Sequence, residues 1–367
     1  MRSSAIRSVG SAALYLALTA CGAGGQGPSE PSPVAPSDAY VPPGAGSAWE
    51  TVSPRTAGLD SAAFMAAIDW AGTQRSTAVI VLWRGRIVAE RYWQGWSAST
   101  DSIIASAGKS MTSTALAILR AQGKVNYDTP AAQYLGAGWS NAPTSEAGIT
   151  VRHLLTMTSG LNDALQAVVA PGTRFYYNNP AYYQTFGVMA VAGGVSRTAS
   201  GMTVLTKSLF WDRIGMASAH WVPSISGGEL GFIARMTARD MARFGLLIER
   251  EGRWGDTQVV PASAVAEMLG TATPDNPSYG QLWWLNGKGS FRTPGPYLLP
   301  SIPAMLIPSA PGDLKAALGA GDKKIYVIPS RELVVVRHGQ EADVAGGNPL
   351  AISNFDEQWW QRLRLAL

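Results

Sequence analysis

The sequence predicts an α+β fold: one antiparallel sheet assembled from both chain ends, with flanking helices and a mostly helical lobe inserted between the two halves. Two observations carry this reading. β-rich runs flanking short turns occur near the start (78–92) and again near the end (324–337). The stretch between them is helical or loop-rich, and its clearest helix spans 237–251, with Met241, Phe244, Leu247 and Ile248 at helical spacing. With 367 residues, 46% hydrophobic and 15% charged, the chain can build a sizeable core and is not disordered throughout.

The first residues stand apart from that fold. Arg2 and Arg7 precede a short apolar run, Ser11 to Ala20, well under the roughly 20 residues that span a bilayer. It ends in Leu18-Thr19-Ala20-Cys21, which resembles a bacterial lipobox. Residues 1–21 therefore read as a lipoprotein signal peptide, with Cys21 lipidated and the protein anchored to a membrane through it. Gly22 in place of Asp after the cysteine points to the periplasmic face of the outer membrane, in a host that has one. Residues 22–48, dense in Gly, Pro and Ser, read as a flexible linker.

The globular domain is expected over 49–367. Ser61 to Gly72 reads as a helix capped by serine, with Phe64, Ile68 and Trp70 as its apolar bulk. Ala78–Trp83 and Ile87–Tyr92 flank Arg84-Gly85-Arg86 as a hairpin. Lys324–Ile328 and Leu333–Arg337 flank Pro329–Glu332 as a second, and 354–367 closes the chain as an amphipathic helix. The sheet part then occupies about 49–105 and 270–367, and the helical lobe about 106–269.

Several function classes fall away on composition. The net charge is +4, but the basic residues are scattered singly, which is not a nucleic-acid footprint. Cys21 is the only cysteine, so neither an internal disulfide nor a thiolate metal cluster can form. His153, His220 and His338 lack the spacing of a helical zinc site, so no metal or cofactor is expected. His153 is read as tying down its loop and His338 as lying at the surface. The 13 Trp and 12 Tyr are read mostly as packing, with an aromatic-lined cleft as the sharper possibility.

A nucleophile has few places to be. There is no G-x-S-x-G elbow, since Ile104-Ala-Ser106-Ala-Gly108 lacks the first glycine. Gly108-Lys109-Ser110 mimics the tail of a phosphate-binding loop, but the upstream glycine falls at Ile103. What remains is Ser106-Ala-Gly-Lys109, followed by apolar residues 111, 115, 118 and 119 at helical spacing. Ser106 thus opens a buried helix, and a residue three places on lies beside it. The helix start supplies free N–H groups and partial positive charge for an oxyanion. An ammonium cannot take a proton, so Lys109 must be made partly neutral by burial. A bare S-x-x-K is also common by chance, and serine before lysine often only caps a helix.

Further segments resolve that ambiguity. Ile149–Leu161 (ITVRHLLTMTSGL), Pro171–Asn179 (PGTRFYYNN), Thr237–Gly245 (TARDMARFG), Trp254-Gly-Asp and Tyr279–Trp284 (YGQLWW) follow Ser106-x-x-Lys109 in order. Together they resemble the serine β-lactamase and penicillin-binding-protein superfamily, in its class C-like esterase and 6-aminohexanoate-dimer hydrolase branch. The resemblance covers nearly everything from about Ser61 onward and implies the β-lactamase/transpeptidase-like fold. It implies Tyr177 as the proton-transfer partner of Lys109, and Asn179 as a hydrogen-bonding partner of substrate and Lys109. The third family motif, usually Lys-Thr-Gly or His-x-Gly, has no match here. Its best placement is Ala317-Leu318-Gly319-Ala320, where Gly319 would let backbone approach the substrate and Ala320 N–H would join Ser106 N–H in the oxyanion hole.

The expected activity is acyl transfer through an acyl-enzyme on Ser106, cleaving small esters or linear amides. Two alternatives compete: a β-lactamase or D-Ala-D-Ala carboxypeptidase, and a lipoprotein that only binds envelope ligands. Retention of Ser106, Lys109 and Tyr177 together argues against the last. Ala317 and Leu318 offer no cation or hydroxyl to a substrate carboxylate, which argues against the former unless Lys315, Lys323 or Lys324 reaches the site.

Overall fold

In the computed structural model the hairpin that begins at Ser76 and the one that ends at Gly339 pair edge to edge. It describes residues 40–44, 48–224, 231–297, 299–342 and 353–367. Cys21, the signal segment and most of the linker expected at 22–48 lie outside the described residues. The helices are α1 (Ser61–Thr73), α2 (Lys109–Ala121), α3 (Ala132–Leu135), α4 (Val151–Leu155), α5 (Asn179–Gly193), α6 (Ala199–Thr206), α7 (Ala238–Glu249), α8 (Ala262–Met268) and α9 (Asn354–Leu363). The strands are β1 (Ser76–Trp83), β2 (Arg86–Tyr92), β3 (Asp101–Ile103), β4 (His220–Pro223), β5 (Phe232–Thr237), β6 (Arg253–Trp254), β7 (Thr257–Gln258), β8 (Trp284–Leu285), β9 (Lys315–Gly319), β10 (Lys323–Ile328) and β11 (Leu333–Gly339).

Six strands form one antiparallel sheet in the order β2-β1-β11-β10-β9-β8. The β1–β11 pairing, from Ser76 opposite Gly339 to Trp83 opposite Leu333, joins the N-terminal hairpin to the C-terminal one. The β1–β2 turn works because Arg84 and Gly85 both take left-handed backbones, φ 49° and 79°, which match the twist of a tight hairpin. Helices cover both faces, so β11 is buried along its whole length and β1 nearly so. On one side α1 and α9 lie together, with Trp70 stacked on Phe355 at 5.6 Å and Trp359 Nε1 donating to Ala67 O. On the other side α7 sits so close that a Cβ on Gly245 would come within 2.4 Å of Val334 Cγ1. That contact is why glycine ends the TARDMARFG segment.

Several expectations need correction. The cap of α1 is Asp60, whose Oδ1 accepts from Ala63 N–H, and not a serine. Among the described residues, packing extends back to Tyr40, ahead of the expected Trp49. Arg243 donates to Pro42 O at 3.3 Å and Pro43 O at 2.5 Å, and Arg86 lies 4.5 Å over the Tyr40 ring. A buried guanidinium needs acceptors, and these carbonyls meet the need. His338 is fully buried, not superficial. Its Nε2 is 3.2 Å from Met236 O and its ring 5.4 Å from Trp96, and desolvation pushes its pKa down to about 3, so it is neutral. His153 does hold its loop: Thr150 N–H donates to its Nδ1 in the capping box of α4.

A second sheet, β3-β5-β4, was not foreseen from the sequence. It matters for function, because β3 runs straight into the turn that carries Ser106. Ile104 N–H continues the pairing by donating to Ala234 O at 2.9 Å.

Candidate active site

Ser106 sits on a tight turn and not on the α-helix proper. Ala105–Gly108 is a single 3-10 turn, and α2 starts at Lys109. Ala105 has φ 47°, a backbone that a residue with a Cβ adopts only when its surroundings force it. Here the force comes from β3, anchored on β5, and from α2, whose residues 109–119 are all buried. The chain must reverse between two fixed elements, and Ser106 lies at the reversal.

Lys109 Nζ is 3.1 Å from Ser106 Oγ. The lysine is almost entirely buried, and no carboxylate pairs with it among the described residues. Its Nζ rests over the faces of Tyr182 at 4.4 Å and Tyr177 at 5.1 Å, contacts that favour the ammonium. Desolvation outweighs them and lowers its pKa from 10.5 to about 7.

Tyr177 comes from the loop before α5. Tyr176 N–H donates to Met157 O and Phe175 N–H to Asp275 Oδ2, which fix the loop on both sides of the site. The Tyr177 ring stacks on Trp284 at 6.0 Å and meets Tyr279 edge-on at 6.2 Å. The YGQLWW segment thus forms the wall that orients Tyr177. Its hydroxyl interacts with Ser106, which favours the phenolate, but burial dominates and drives the pKa well up. Tyr177 is therefore a neutral phenol at rest. The neighbouring Tyr182 hydroxyl is occupied by Thr112 Oγ1 at 2.9 Å.

Asn179 lines the same cavity, but its Oδ1 is buried without a hydrogen-bond partner, so it does not bond Lys109 as expected. The lysine amine is held on Ser106 and between tyrosine rings instead. Asn178 shapes the backbone here, capping α5 through Ala181 N–H and donating to Leu161 O and Asn162 O.

The segment read as the third motif lies at the end of β9, and its glycine has a different neighbour from the one expected. Gly319 ends β9 and Ala320 lines the cavity. A Cβ on Gly319 would lie 2.3 Å from Ile104 O and 3.2 Å from Ala107 N. The glycine therefore admits the backbone of the Ser106 turn and not the substrate, and it is absent from the cavity wall. Neither Ser106 N–H nor Ala320 N–H has an acceptor among the described residues.

The cavity holds about 420 Å³. Ser106, Lys109, Tyr177, Asn179 and Ala320 are joined there by Tyr176, Tyr182, Tyr183, Trp221 and Phe232. The aromatic cleft is thus real, although Trp211, Trp283, Trp359 and Trp360 are pure packing. Asp163 is the single carboxylate of the described lining, and its Oδ2 accepts from Tyr176 O–H at 2.8 Å. It belongs to the TSGLND stretch, whose chemistry the sequence did not signal.

The sheet built from both ends, with helices on its two faces and the serine–lysine turn beside it, is the β-lactamase/transpeptidase-like fold. The chain belongs to the Beta-lactamase family, whose model matches residues 62–343. Among solved structures it is similar to a protein from Bacteroides dorei DSM 17855 assigned as a beta-lactamase, at 16% identity and TM-score 0.65, covering 83% of this chain and 98% of that one. It is similar to a Bacillus anthracis protein assigned as a 6-aminohexanoate-dimer hydrolase, at 20% identity and TM-score 0.59, covering 76% and 77%. A D-stereospecific amidohydrolase from Streptomyces sp. matches at 16% identity and TM-score 0.56, covering 78% and 96%. No curated protein matches the chain in sequence.

Proposed function

We propose that this protein is a serine hydrolase that forms an acyl-enzyme on Ser106 and cleaves small carboxylic esters or linear amides. One observation carries the reading: a buried lysine with no carboxylate partner among the described residues, its amine 3.1 Å from the hydroxyl of a serine that lines the same cavity. With a pKa near 7, a large fraction of Lys109 is neutral at physiological pH and able to act as a base.

Lys109 Nζ takes the Ser106 proton as Oγ bonds to the substrate carbonyl carbon. The developing oxyanion is met by the Ser106 and Ala320 amides. Tyr177, a phenol at rest, gives its proton to the departing oxygen or nitrogen and recovers one from the Lys109 ammonium. Water then releases the acyl group from Ser106 by the reverse relay. Asn179 supplies an acceptor to the bound substrate.

Charge favours esters and amides over β-lactams. Penicillins and D-Ala-D-Ala peptides bring a carboxylate beside the scissile carbonyl. Lys109 is the only cation in the described lining, while Asp163 adds a negative charge. The three lysines that could have changed this do not line the cavity. Lys324 is buried in ion pairs with Asp356 (2.7 Å) and Asp322 (3.1 Å). Lys315 starts β9, at the far end from Ala320, and Lys323 Nζ folds over Gly321. An unpaired desolvated carboxylate costs several kcal/mol, so cephalosporin turnover should fall at least ~100-fold below that of a p-nitrophenyl ester, which takes about 2.7 kcal/mol. Intact mass after exposure to a fluorophosphonate, an activated ester and a penicillin, with kcat/KM for each substrate, tests both points. Comparable efficiency on a cephalosporin and on p-nitrophenyl acetate would transfer the assignment to the penicillin-recognising reading.

We also propose that Cys21 carries the lipid that anchors the enzyme, on the periplasmic face of the outer membrane. The lipobox-like tetrapeptide and the Gly/Pro/Ser-rich segment after it support this.

A further inference from the structure

The turn that presents Ala320 is clamped from behind by a buried charge cluster that the chemistry above does not use. Residues 320–322 join β9 to β10, and Gly321 and Asp322 both have left-handed backbones, φ 69° and 55°. Asp322 is 3% exposed. Its Oδ2 accepts from Ala342 N–H at 2.9 Å, and its Oδ1 from Ser353 Oγ–H at 2.5 Å. Lys324 Nζ stands 3.1 Å from Oδ1 and continues to Asp356 at 2.7 Å. The Asp322 carbonyl accepts from Arg337 Nη1 at 2.7 Å, and the same guanidinium reaches Gln74 O just after α1 and Ser76 Oγ at the start of β1.

Two carboxylates and two cations buried together balance in charge, and every oxygen of Asp322 is engaged. On its other side the turn abuts the Ser106 turn through Gly319, whose backbone lies against Ile104 O and Ala107 N. The turn is therefore held between the clamp and the nucleophile's own backbone. Gly321 takes its left-handed backbone without strain and Asp322 at small cost, so the contacts of the Asp322 side chain and carbonyl are what fix where the turn sits.

We propose that Asp322 is a positioning residue for acyl transfer: it holds the 320–322 turn so that Ala320 N–H points at the carbonyl oxygen of a substrate on Ser106. This rests on the acyl-transfer reading. A purely structural role would be to staple α9 and the chain just after β11 to the sheet, and the two roles differ in what they do to the transition state.

The test compares wild type, Asp322→Ala, Asp322→Asn and Ser353→Ala, using a p-nitrophenyl ester and a boronic acid that becomes tetrahedral on Ser106. Losing a whole oxyanion donor costs about 100- to 1,000-fold, so loosening one should cost roughly 10- to 100-fold. Asp322→Ala should lose that factor in kcat with KM within about threefold, and boronate affinity should fall in parallel. Asp322→Asn keeps one acceptor and tolerates the left-handed backbone but loses the charge and the second acceptor, so it should recover only part of the loss. Should Asp322→Ala not fold, Ser353→Ala removes the hydrogen bond to Asp322 together with the N-cap of α9, and should lose several-fold in the same two readouts. Wild-type kcat and boronate affinity in the folded variants, with only Tm lowered, would overturn the inference alone. A wild-type enzyme that neither turns over esters nor forms an adduct on Ser106 would overturn the acyl-transfer reading, and this inference with it.

Discussion

Lys109→Met should abolish turnover and yet give a more stable protein below neutral pH. An unfolded lysine keeps its proton to about pH 10.5, whereas the folded one loses it near pH 7 because burial desolvates the ammonium. Between those values the unfolded chain binds more protons, so this residue makes stability rise with pH. Below pH 7 both states are protonated and the folded state bears the full penalty. The shift of about 3.5 pKa units, at 1.36 kcal/mol per unit, sets an upper bound of about 5 kcal/mol. The tyrosine faces and the Ser106 hydroxyl return part of this, so Met, similar in length and apolar, should gain roughly 1–3 kcal/mol at pH 6. By pH 10 the gain should vanish, since the neutral amine costs little and still bonds Ser106. Urea denaturation of both proteins at pH 6, 8 and 10 reads the stability. The wild-type pH profile of kcat/KM reads the same ionisation kinetically, as a rising limb with its midpoint near 7. A flat profile from pH 6 to 9, or a Lys109→Met variant less stable than wild type at pH 6, would refute the claim that a desolvated lysine is the base.

Ser106→Ala should lose turnover and fluorophosphonate labelling while its stability shifts by only about 0.5–1.5 kcal/mol, the range for a lost side-chain hydrogen bond; labelling that persists on another serine counts against the assignment. Tyr177→Phe should lower kcat greatly with stability little changed, because its ring stays between Trp284 and Tyr279. The Lys109→Met/Tyr177→Phe double variant should be little worse than the poorer single, and multiplicative losses would show that the two do not share a relay. Cys21→Ser should release the protein from the detergent phase or block its processing, and an unmodified mature N-terminus downstream of Cys21 would contradict the anchor.

Much of the main sheet could be read directly because its two hairpins are local. Arg84-Gly85 between two apolar runs, and Val334-Val-Val336 after a short turn, specify their strands without reference to the rest of the chain. The β3-β5-β4 sheet was invisible for the opposite reason. Asp101–Ile103 is three residues long, and its partner lies more than a hundred residues away, so no periodicity announces it. The same distance misled the reading of His338. A histidine closing a strand looks superficial until β5 is packed against it, leaving Met236 O as its hydrogen-bond partner.

Within the site, legibility follows sequence separation. Ser106 and Lys109 are three residues apart, so backbone geometry alone brings them together, and the lysine's burial follows from the apolar residues beyond it. Tyr177 and Asn179 could be placed only by resemblance, since nothing local says that a loop before α5 faces α2. For Asn179 the resemblance placed the residue in the cavity but not its hydrogen bond. Gly319 shows the sharpest limit. The sequence identifies a glycine needed for close approach, but what approaches is Ile104 O, from a segment more than two hundred residues earlier. The role of that glycine is therefore geometric and exerted through Ser106. Any side chain at 319 must push apart the nucleophile turn and the turn carrying Ala320, and those two backbones hold the only two amides proposed to face the oxyanion. Gly319→Ala should consequently act on kcat rather than on substrate binding, because it separates the two donors while leaving the aromatic walls of the cavity in place.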